Sequence, residues 1–559
     1  MKHLLISLSC LSAMAALAPA AHAADADAGK TLFDMQCLLC HTAETGDGGG
    51  AQGPSLHGIF GRAAAADPQF GYTDAMEDSG LTWDVATLDR FLAAPTKVVP
   101  GTAMVIPVAG EDDRANVIAY LQQASLKAGD ESEAGAGAAP ATAGGEDWKN
   151  DRPGRVHRID IDHLPAPFAT EAARNFPKVV DRPEGAEVKL PEGFHFATFA
   201  TGFAGPRVMV QAGNGDIFLA ETRGGQVTIL RAGADGTMES KDVYASGLDQ
   251  PMGLAFYPNA QDPEWLYVAE TNRVVRYAYD LGDKKAGKAE VVVPSLPTGG
   301  HFTRDIVFSA DGKRMFVSVG SASNVAEDMA EKSPAEAKAY DEAHGLGAAW
   351  GPEEDRAAVL AFDVDGGNKE LYATGLRNCV GLTIQPATGD LWCTVNERDL
   401  LGDDLVPDYS TRVKQGAYYG WPWYYFGNHE DPRREGERPD LAGKATVPDV
   451  PYQAHSAALN LLFYQANDGP SAFPDDYVGQ GLAVLHGSWN RSFRTGHKIV
   501  RVPIENGKPT GSYVDFLTGF IVDNGNSWAR PTALVQLADG SLLLAEDGNN
   551  TIYRISYEK

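Results

Sequence analysis

The sequence predicts at least two domains, the larger of them an all-β six-bladed propeller. Three observations point there. The chain has 559 residues, too many for one hydrophobic core. The stretch Ala124–Asn150, ASLKAGDESEAGAGAAPATAGGEDWKN, is rich in Ala, Gly, Glu and Pro and lacks apolar periodicity, so it reads as a flexible tether. Beyond it one phrase recurs: AGNGDIFLAETRGGQVTILR, DPEWLYVAETNRVVRYAY, SADGKRMFVSVGSASN, PATGDLWCTVNERD and LADGSLLLAEDGNNTIYRIS. Each is a turn, then alternating apolar residues, then a polar close, and repetition of a strand unit is the mark of a propeller.

Taken in chain order, residues 1–23 read as a secretory signal. Lys2 begins them, an apolar run follows, and Ala21-His22-Ala23 fits a small-x-small cleavage site. Export to the periplasm is therefore expected, and Cys10 would leave with the signal. No later segment has the roughly 20 apolar residues that a spanning helix needs. The formal net charge of -28 repels phosphate backbones and anionic membranes, which sets nucleic-acid binding aside. Four cysteines remain, too few for a disulfide scaffold. Two of them, Cys379 and Cys393, flank a hairpin that turns at Pro386–Gly389, about three residues out of register by counting from the turn. Two separate buried thiols are expected.

Residues 24–125 carry the first chemical motif. Cys37-Leu38-Leu39-Cys40-His41 is C-x-x-C-H, whose spacing lets both thiols add to the haem vinyl groups while the histidine faces the iron. A zinc knuckle would need a second ligand pair nearby, and none follows. The sixth ligand should be a soft donor later in the domain, and Met104 sits in a proline-rich loop, PTKVVPGTAMVIPVAG. The run GPSLHGIFGR…FGYTDAMEDSGLTW…FLAAPTKVVPGTAM…RANVIAYLQQ resembles class I cytochrome c of the mitochondrial and bacterial c2 type. The resemblance implies a small all-α domain with covalent haem c and axial ligands His41 and Met104. It also implies that the Pro54 carbonyl holds the His41 ring and that Arg62, Tyr72 and Trp83 surround a haem propionate. Phe91 stands where that family usually has a tyrosine touching the methionine sulfur, so the haem potential should differ. Residues 24–125 hold 14 Asp/Glu against 5 Lys/Arg. The lysine ring through which such cytochromes dock is missing, and an external partner should present a basic face.

A linker and lead-in over 126–184 precede the propeller, assigned to 185–559. Adding GQGLAVLHGSWNRSF…HKIVRVPI gives six blades. Glu192–Thr201 is expected to pair with the last blade and close the ring. A charged, helix-prone insertion near 324–356 interrupts the rhythm and should lie over one face. Polar residues at blade entrances are candidates for a site on the axis: Arg207, His301, Arg377 with Asn378, His486 with Trp489, Asn490 and Arg491, and Arg530. Several arginines aimed at one axis would bind a multiply anionic ligand.

The phrases GGHFTRDIVFSADGKRMFVSVGSASN, GLRNCVGLTIQPATGDLW, NERDLLGDDLVPDY, YYGWPWYYFG and LHGSWNR resemble the sorbosone dehydrogenase family, related to soluble PQQ-dependent glucose dehydrogenase and fungal PQQ pyranose dehydrogenases. The resemblance implies pyrroloquinoline quinone (PQQ), whose three carboxylates would explain the arginines. It implies His301 as the general base for a sugar hydroxyl and Arg377 as stabiliser of charge growing on the quinone as hydride arrives. It implies Ca2+ on backbone carbonyls of the NERD loop, at Glu397 and Arg398, with Asp403 and Asp404 either extra ligands or solvated turn acids. Gln250 and Arg530 match cofactor-contacting positions. Gly300 stands where the glucose enzyme has an aspartate, so the sugar cannot be named.

The predicted function is PQQ-dependent oxidation of an aldose, a sorbosone-like compound or another pyranose or polyol-type molecule. Electrons would pass to the fused haem c and on to a downstream cytochrome or terminal oxidase. Two alternatives are a calcium-dependent sugar lactonase, which would leave the haem unused, and a non-catalytic docking propeller that carries a working cytochrome.

Overall fold

The computed structural model describes residues 24–38, 40–43, 53–67, 70–104, 106–126, 148–233 and 236–558. The proposed signal and most of the tether lie outside these residues.

The first domain is helical. Its helices Ala26–Leu32 and Glu111–Leu126 pack across one another, with Val85–Ala93 against the second of them. The crossing depends on Gly29, because a Cβ there would strike the backbone of Asn116. Asp25 and Asp84 cap the first and third of these helices by accepting backbone N–H bonds. The core gathers Phe33, Trp83, Leu88, Phe91, Val117 and Leu121.

Six antiparallel sheets, five of four strands and one of five, form the blades of the second domain. Their first strands are Pro206–Gln211, Gly253–Tyr257, Ile306–Phe308, Cys379–Ile384, Ala458–Phe463 and Pro531–Gln536, numbered here as blades one to six. Each first strand touches the next around a closed ring. The repeated phrase is the second strand of each blade with its flanking turns. The turn glycines Gly215, Gly312, Gly389 and Gly540 hold the positive φ that the alternation of turn and strand requires. Second strands such as Ile217–Glu221 are buried along their whole length, since both sheet faces meet a neighbouring blade. Phe218, for example, meets Tyr244, Phe256 and Tyr279 edge-on at ring distances of 5.0 to 5.3 Å. The acid that closes the phrase is structural: Glu546 is buried and accepts the N–H groups of Arg530, Gly548, Asn549 and Thr551.

Ring closure is as expected. Phe194–Thr201 is the fourth strand of blade six and pairs antiparallel with Thr551–Tyr557. The insertion joins the second and third strands of blade three. It contains the helix Pro334–His344, started by a capping box of Ser333 and Glu336.

Two features differ from expectation. Cys379 and Cys393 form a disulfide with Cα atoms 5.8 Å apart. Leu382 opposes Cys393 and Val395 opposes Cys379, so the direct register is indeed offset. A bulge between Cys379 and Gly381 brings Cys379 back within bridging distance. The lead-in, moreover, is structured from Trp148 onward. Val156–His157 adds a fifth strand to blade five, and Lys178–Val179 pairs in parallel with Asn526–Ser527. His157, Asp151, Asp515 and Lys498 bind this strap in a buried ion cluster, with Lys498 Nζ 2.8 Å from Asp151 and 2.9 Å from Asp515.

The helix crossing gives a direct test. Gly29→Ala should destabilise the first domain by about 1–3 kcal/mol, the usual cost of overpacking. Chemical denaturation followed at the haem absorbance measures it.

Candidate functional site

Antiparallel strands put two sets of loops on one face: those entering each first strand and those joining second strands to third. The entry positions of successive blades are Arg207, Gln250, His301, Arg377 with Asn378, His455 and Arg530. Residues from several of these loops converge on the ring axis.

One wall is cationic. Asp547 lies at its centre: Arg207 Nη1 stands 3.3 Å from its carboxylate, His486 Nε2 stands 2.9 Å from it, and Arg223 donates to its backbone oxygen at 3.0 Å. A carboxylate only accepts, so His486 carries its proton on Nε2, and Nδ1 accepts from Arg530 Nη2 at 3.1 Å. Burial and the Arg530 charge push the His486 pKa down to about 4. Burial likewise lowers Arg207 and Arg530, while the surrounding cations hold Asp547 far below the usual carboxylate range. Arg207 and Arg530 thus lie beside one carboxylate, Arg223 stands exposed at the rim, and Arg530 Nε is buried without a hydrogen-bond partner. This excess of buried positive charge, with an open donor, fits a ligand that carries several carboxylates, as PQQ does.

The other wall holds His301. Its Nδ1 bonds the Ser321 carbonyl at 2.9 Å, which fixes the proton on Nδ1 and leaves the Nε2 lone pair as the basic site. Burial, and then the Arg377 charge, push its pKa down to about 3, so it is neutral at ordinary pH. Gly300 holds φ +64, and a Cβ there would strike the backbone of Ala322, so no aspartate fits this position.

Arg377 is placed differently from the quinone-facing role expected of it. It is 2% exposed. Its guanidinium donates to the Asn324 carbonyl and Oδ1, the Asn396 and Glu397 carbonyls, and Asp399, which uses all five N–H groups. It ties the NERD loop to the insertion and acts on His301 through its charge. Asn378 is buried beside it, and its Oδ1 has no hydrogen-bond partner.

The NERD-loop groups expected near calcium have definite partners. The Glu397 carbonyl accepts from Arg377 at 2.7 Å, and its carboxylate pairs with Arg398 at 3.0 Å. The Arg398 guanidinium is spent on Asp431 and on the carbonyls of Pro422 and Tyr424. Asp404 pairs with Arg491 at 2.7 Å, and Asp403 accepts from Ser492 N. A carbonyl oxygen has two lone pairs, so the backbone oxygens of Glu397 and Arg398 retain acceptor capacity, and no step is assigned to calcium. Among the described residues, the cluster with metal-ligand geometry is Asp151, His157 and Asp515, where Lys498 already supplies the positive charge.

Trp489, Asn490 and Arg491 were expected at the cofactor, but they lie in the loop between the second and third strands of blade five and hold the strap. Asn490 bonds Leu400 N and the Ala173 carbonyl, and Arg491 bonds Asp403 and Asp404. Trp489 stacks on Phe176 at 5.0 Å, and both pack against the core of the first domain. Arg223, Asp547 and His455 are site residues that sequence reading passed over. His455, bonded to Asp399 at 3.2 Å and to the Gly402 carbonyl at 2.9 Å, is the blade-five entry, and its equivalence to Arg377 was the available signal.

The haem end meets this wall. A single cavity of about 540 Å³ is lined by Cys37, Cys40, His41 and Met104 on one side and by Arg207, Arg223, Gln250, Phe302 and Asp547 on the other. Arg62, Tyr72, Trp83 and Phe91 line it too. His41 Nδ1 bonds the Pro54 carbonyl at 2.9 Å, so Nε2 is left for a metal. Gly53 is required beside it, since a Cβ would strike the ring. Burial pushes Cys37 up to about 12 and Cys40 up to about 11. These are protonated thiols lining the cavity beside His41, placed for thioether attachment. The donor set fits haem c. Met104→Ala should leave the haem attached while abolishing the thioether-ligated spectrum and shifting the reduction potential, read by redox titration at the haem bands.

Comparison with known proteins agrees with both halves. The family profile for Cytochrome c matches residues 26–125, and that for TrAA12-like matches residues 188–414. Cytochrome c2 of Rhodoblastus acidophilus is 46% identical over 102 residues, 18% of this chain and 94% of that one. The PQQ domain of pyranose dehydrogenase from Coprinopsis cinerea superposes with a TM-score of 0.54 at 21% identity, over 68% of this chain and 99% of that one. The Trichoderma reesei Carbohydrate-Active Enzymes Family AA12 protein gives 0.54 at 19%, over 68% and 98%. These last two establish likeness of fold. The chain belongs to the cytochrome c family through residues 26–125, and there it is fused to a TrAA12-like six-bladed propeller.

Proposed function

We propose that this chain is a periplasmic, PQQ-dependent sugar dehydrogenase that delivers its electrons to its own haem c. The observation that carries this reading is the shared cavity: haem-attachment residues and the cationic propeller wall face the same space. When bound, PQQ would supply a two-electron acceptor for hydride from a sugar carbon, and haem c a one-electron outlet.

The chain's own residues would do the rest. Arg207 and Arg530 would bind carboxylates. His301 Nε2 would take the hydroxyl proton, with the ring held by the Ser321 carbonyl. Arg377 would keep His301 neutral and therefore competent to accept. The cytochrome wall would exclude bulk water. Among the described residues, no helix is long and apolar enough to cross a membrane. The acidic cytochrome would pass electrons to a basic-faced cytochrome or terminal oxidase.

The test is reconstitution of the full chain with PQQ, with and without calcium, followed by a sugar screen read at the haem absorbance. Haem reduction by an aldose or related pyranose is expected, and its absence across the screen overturns the reading. His301→Ala should lower turnover with a dye acceptor by about 10²–10⁴-fold, the usual contribution of a general base, while PQQ still binds in a titration.

The pH dependence has a definite sign. A histidine whose pKa is lowered stays unprotonated as pH falls through its ordinary value of 6.5. The acid limb of kcat/KM should therefore lie clearly below pH 6.5. A limb at or above 6.5 would remove His301 as the free neutral base.

A further inference from the structure

We propose that the strap segment Ala173–Phe176, bolted to the loop Trp489–Arg494, is a latch that seats the cytochrome on the propeller mouth and sets the rate at which electrons reach the haem. The inference rests on the function proposed above, but its geometry stands independently.

The platform belongs to the propeller. Asn490 Nδ2 donates to the Ala173 carbonyl at 2.7 Å, and Asn175 N donates to the Trp489 carbonyl at 2.7 Å. Arg494 Nη2 donates to Asn175 Oδ1 at 2.8 Å, while Nη1 donates to the Ser488 carbonyl at 3.0 Å. Arg494 is 0% exposed, so the residues it holds have little freedom.

Two side chains then reach the cytochrome. Arg174 forms an ion pair with Asp34, both partly buried at 22% and 16% exposure. Phe176, stacked on Trp489, lies against the cytochrome core. Asp34 belongs to the segment Phe33–Cys37, which ends in the first haem cysteine. The contact is thus one helical turn from the haem attachment, beside the cavity that joins the two domains. Desolvation lowers Arg174 to about 10, still protonated at neutral pH, and Asp34 compensates its charge.

Two electrons leave the sugar in each turnover, and the haem site takes one at a time, so an external one-electron oxidant must empty it twice. Transfer between the sites falls steeply with separation. A contact that fixes that separation controls haem reduction without touching sugar oxidation.

The test uses the full haem-loaded chain with PQQ and three variants: Arg174→Asp, Phe176→Ala and the swap Asp34→Arg/Arg174→Asp. Sugar-driven haem reduction is followed by stopped flow, turnover with a small dye separately, and the radius of gyration by small-angle X-ray scattering. The single variants should slow haem reduction at least tenfold, leave dye turnover and the haem spectrum unchanged, and enlarge the radius of gyration. The swap should recover part of the rate, because Lys30 also pairs with Asp34, at 3.0 Å. Unchanged haem reduction and an unchanged radius in both single variants would overturn the latch. If no sugar turns over in the wild type, the functional reading fails, and the latch is then decided by scattering alone.

Discussion

Closure of the ring is the constraint on which everything else depends. Six blades share one axis only because Phe194–Thr201 returns to pair with Thr551–Tyr557, which joins the start of the propeller to its end. With the ring closed, every first strand begins at the same height on the same face. Residues far apart in sequence, from Arg207 to Arg530, then meet without any local signal that they should. A site of this kind is made by topology, and the residues at the strand entrances inherit it.

That closure also makes the charge arrangement tolerable. An open propeller would hydrate Arg207, Arg223 and Arg530. The closed one holds Arg207 and Arg530 half-buried beside Asp547 and His486, with Arg223 at the exposed rim, and desolvating a guanidinium there is costly. One carboxylate cannot balance both the Arg207 and the Arg530 cations. The remaining imbalance, with the unpartnered Arg530 Nε, is what an anionic ligand would relieve. On the far wall the same burial acts with opposite effect. It strips His301 of its proton and leaves a base, and the five bonds of Arg377 keep that cation close without letting it move. One physical cause, desolvation, thus acts on the cationic groups around Asp547 and on the imidazole of His301 alike.

Much of this was legible in the sequence. The second strands announce themselves because burial on both faces demands apolar runs between left-handed glycine turns. Counting them gives six blades despite irregular spacing. The residues before first strands were also legible, and of these Arg207 and Gln250 line the cavity that reaches the haem-attachment residues. What failed shares one cause: contacts with distant chain carry no local pattern. LHGSWNR looks like an entrance motif but joins the second and third strands of blade five. Its His486 therefore reaches the site, while Trp489, Asn490 and Arg491 turn to the strap. The strap itself, from Trp148 to Val179, is held by residues more than 300 positions later, so composition alone gives no warning of its order. The disulfide was hidden by one extra residue in a bulge.

The acidity of the cytochrome half follows from the same arrangement. A freely diffusing cytochrome needs a charged ring to steer its encounters, because orientation limits the rate at which it docks. A cytochrome joined covalently to its electron source meets that source at an effective concentration of about millimolar, with no steering required. One ion pair, Arg174 with Asp34, and one aromatic contact are then enough to set its orientation. The surface is released from the lysine ring and can carry 14 acids against 5 bases over residues 24–125. Such a surface repels other acidic proteins and attracts a basic one. The intramolecular contact can therefore stay small, one ion pair and one aromatic stack, while most of the surface charge faces outward.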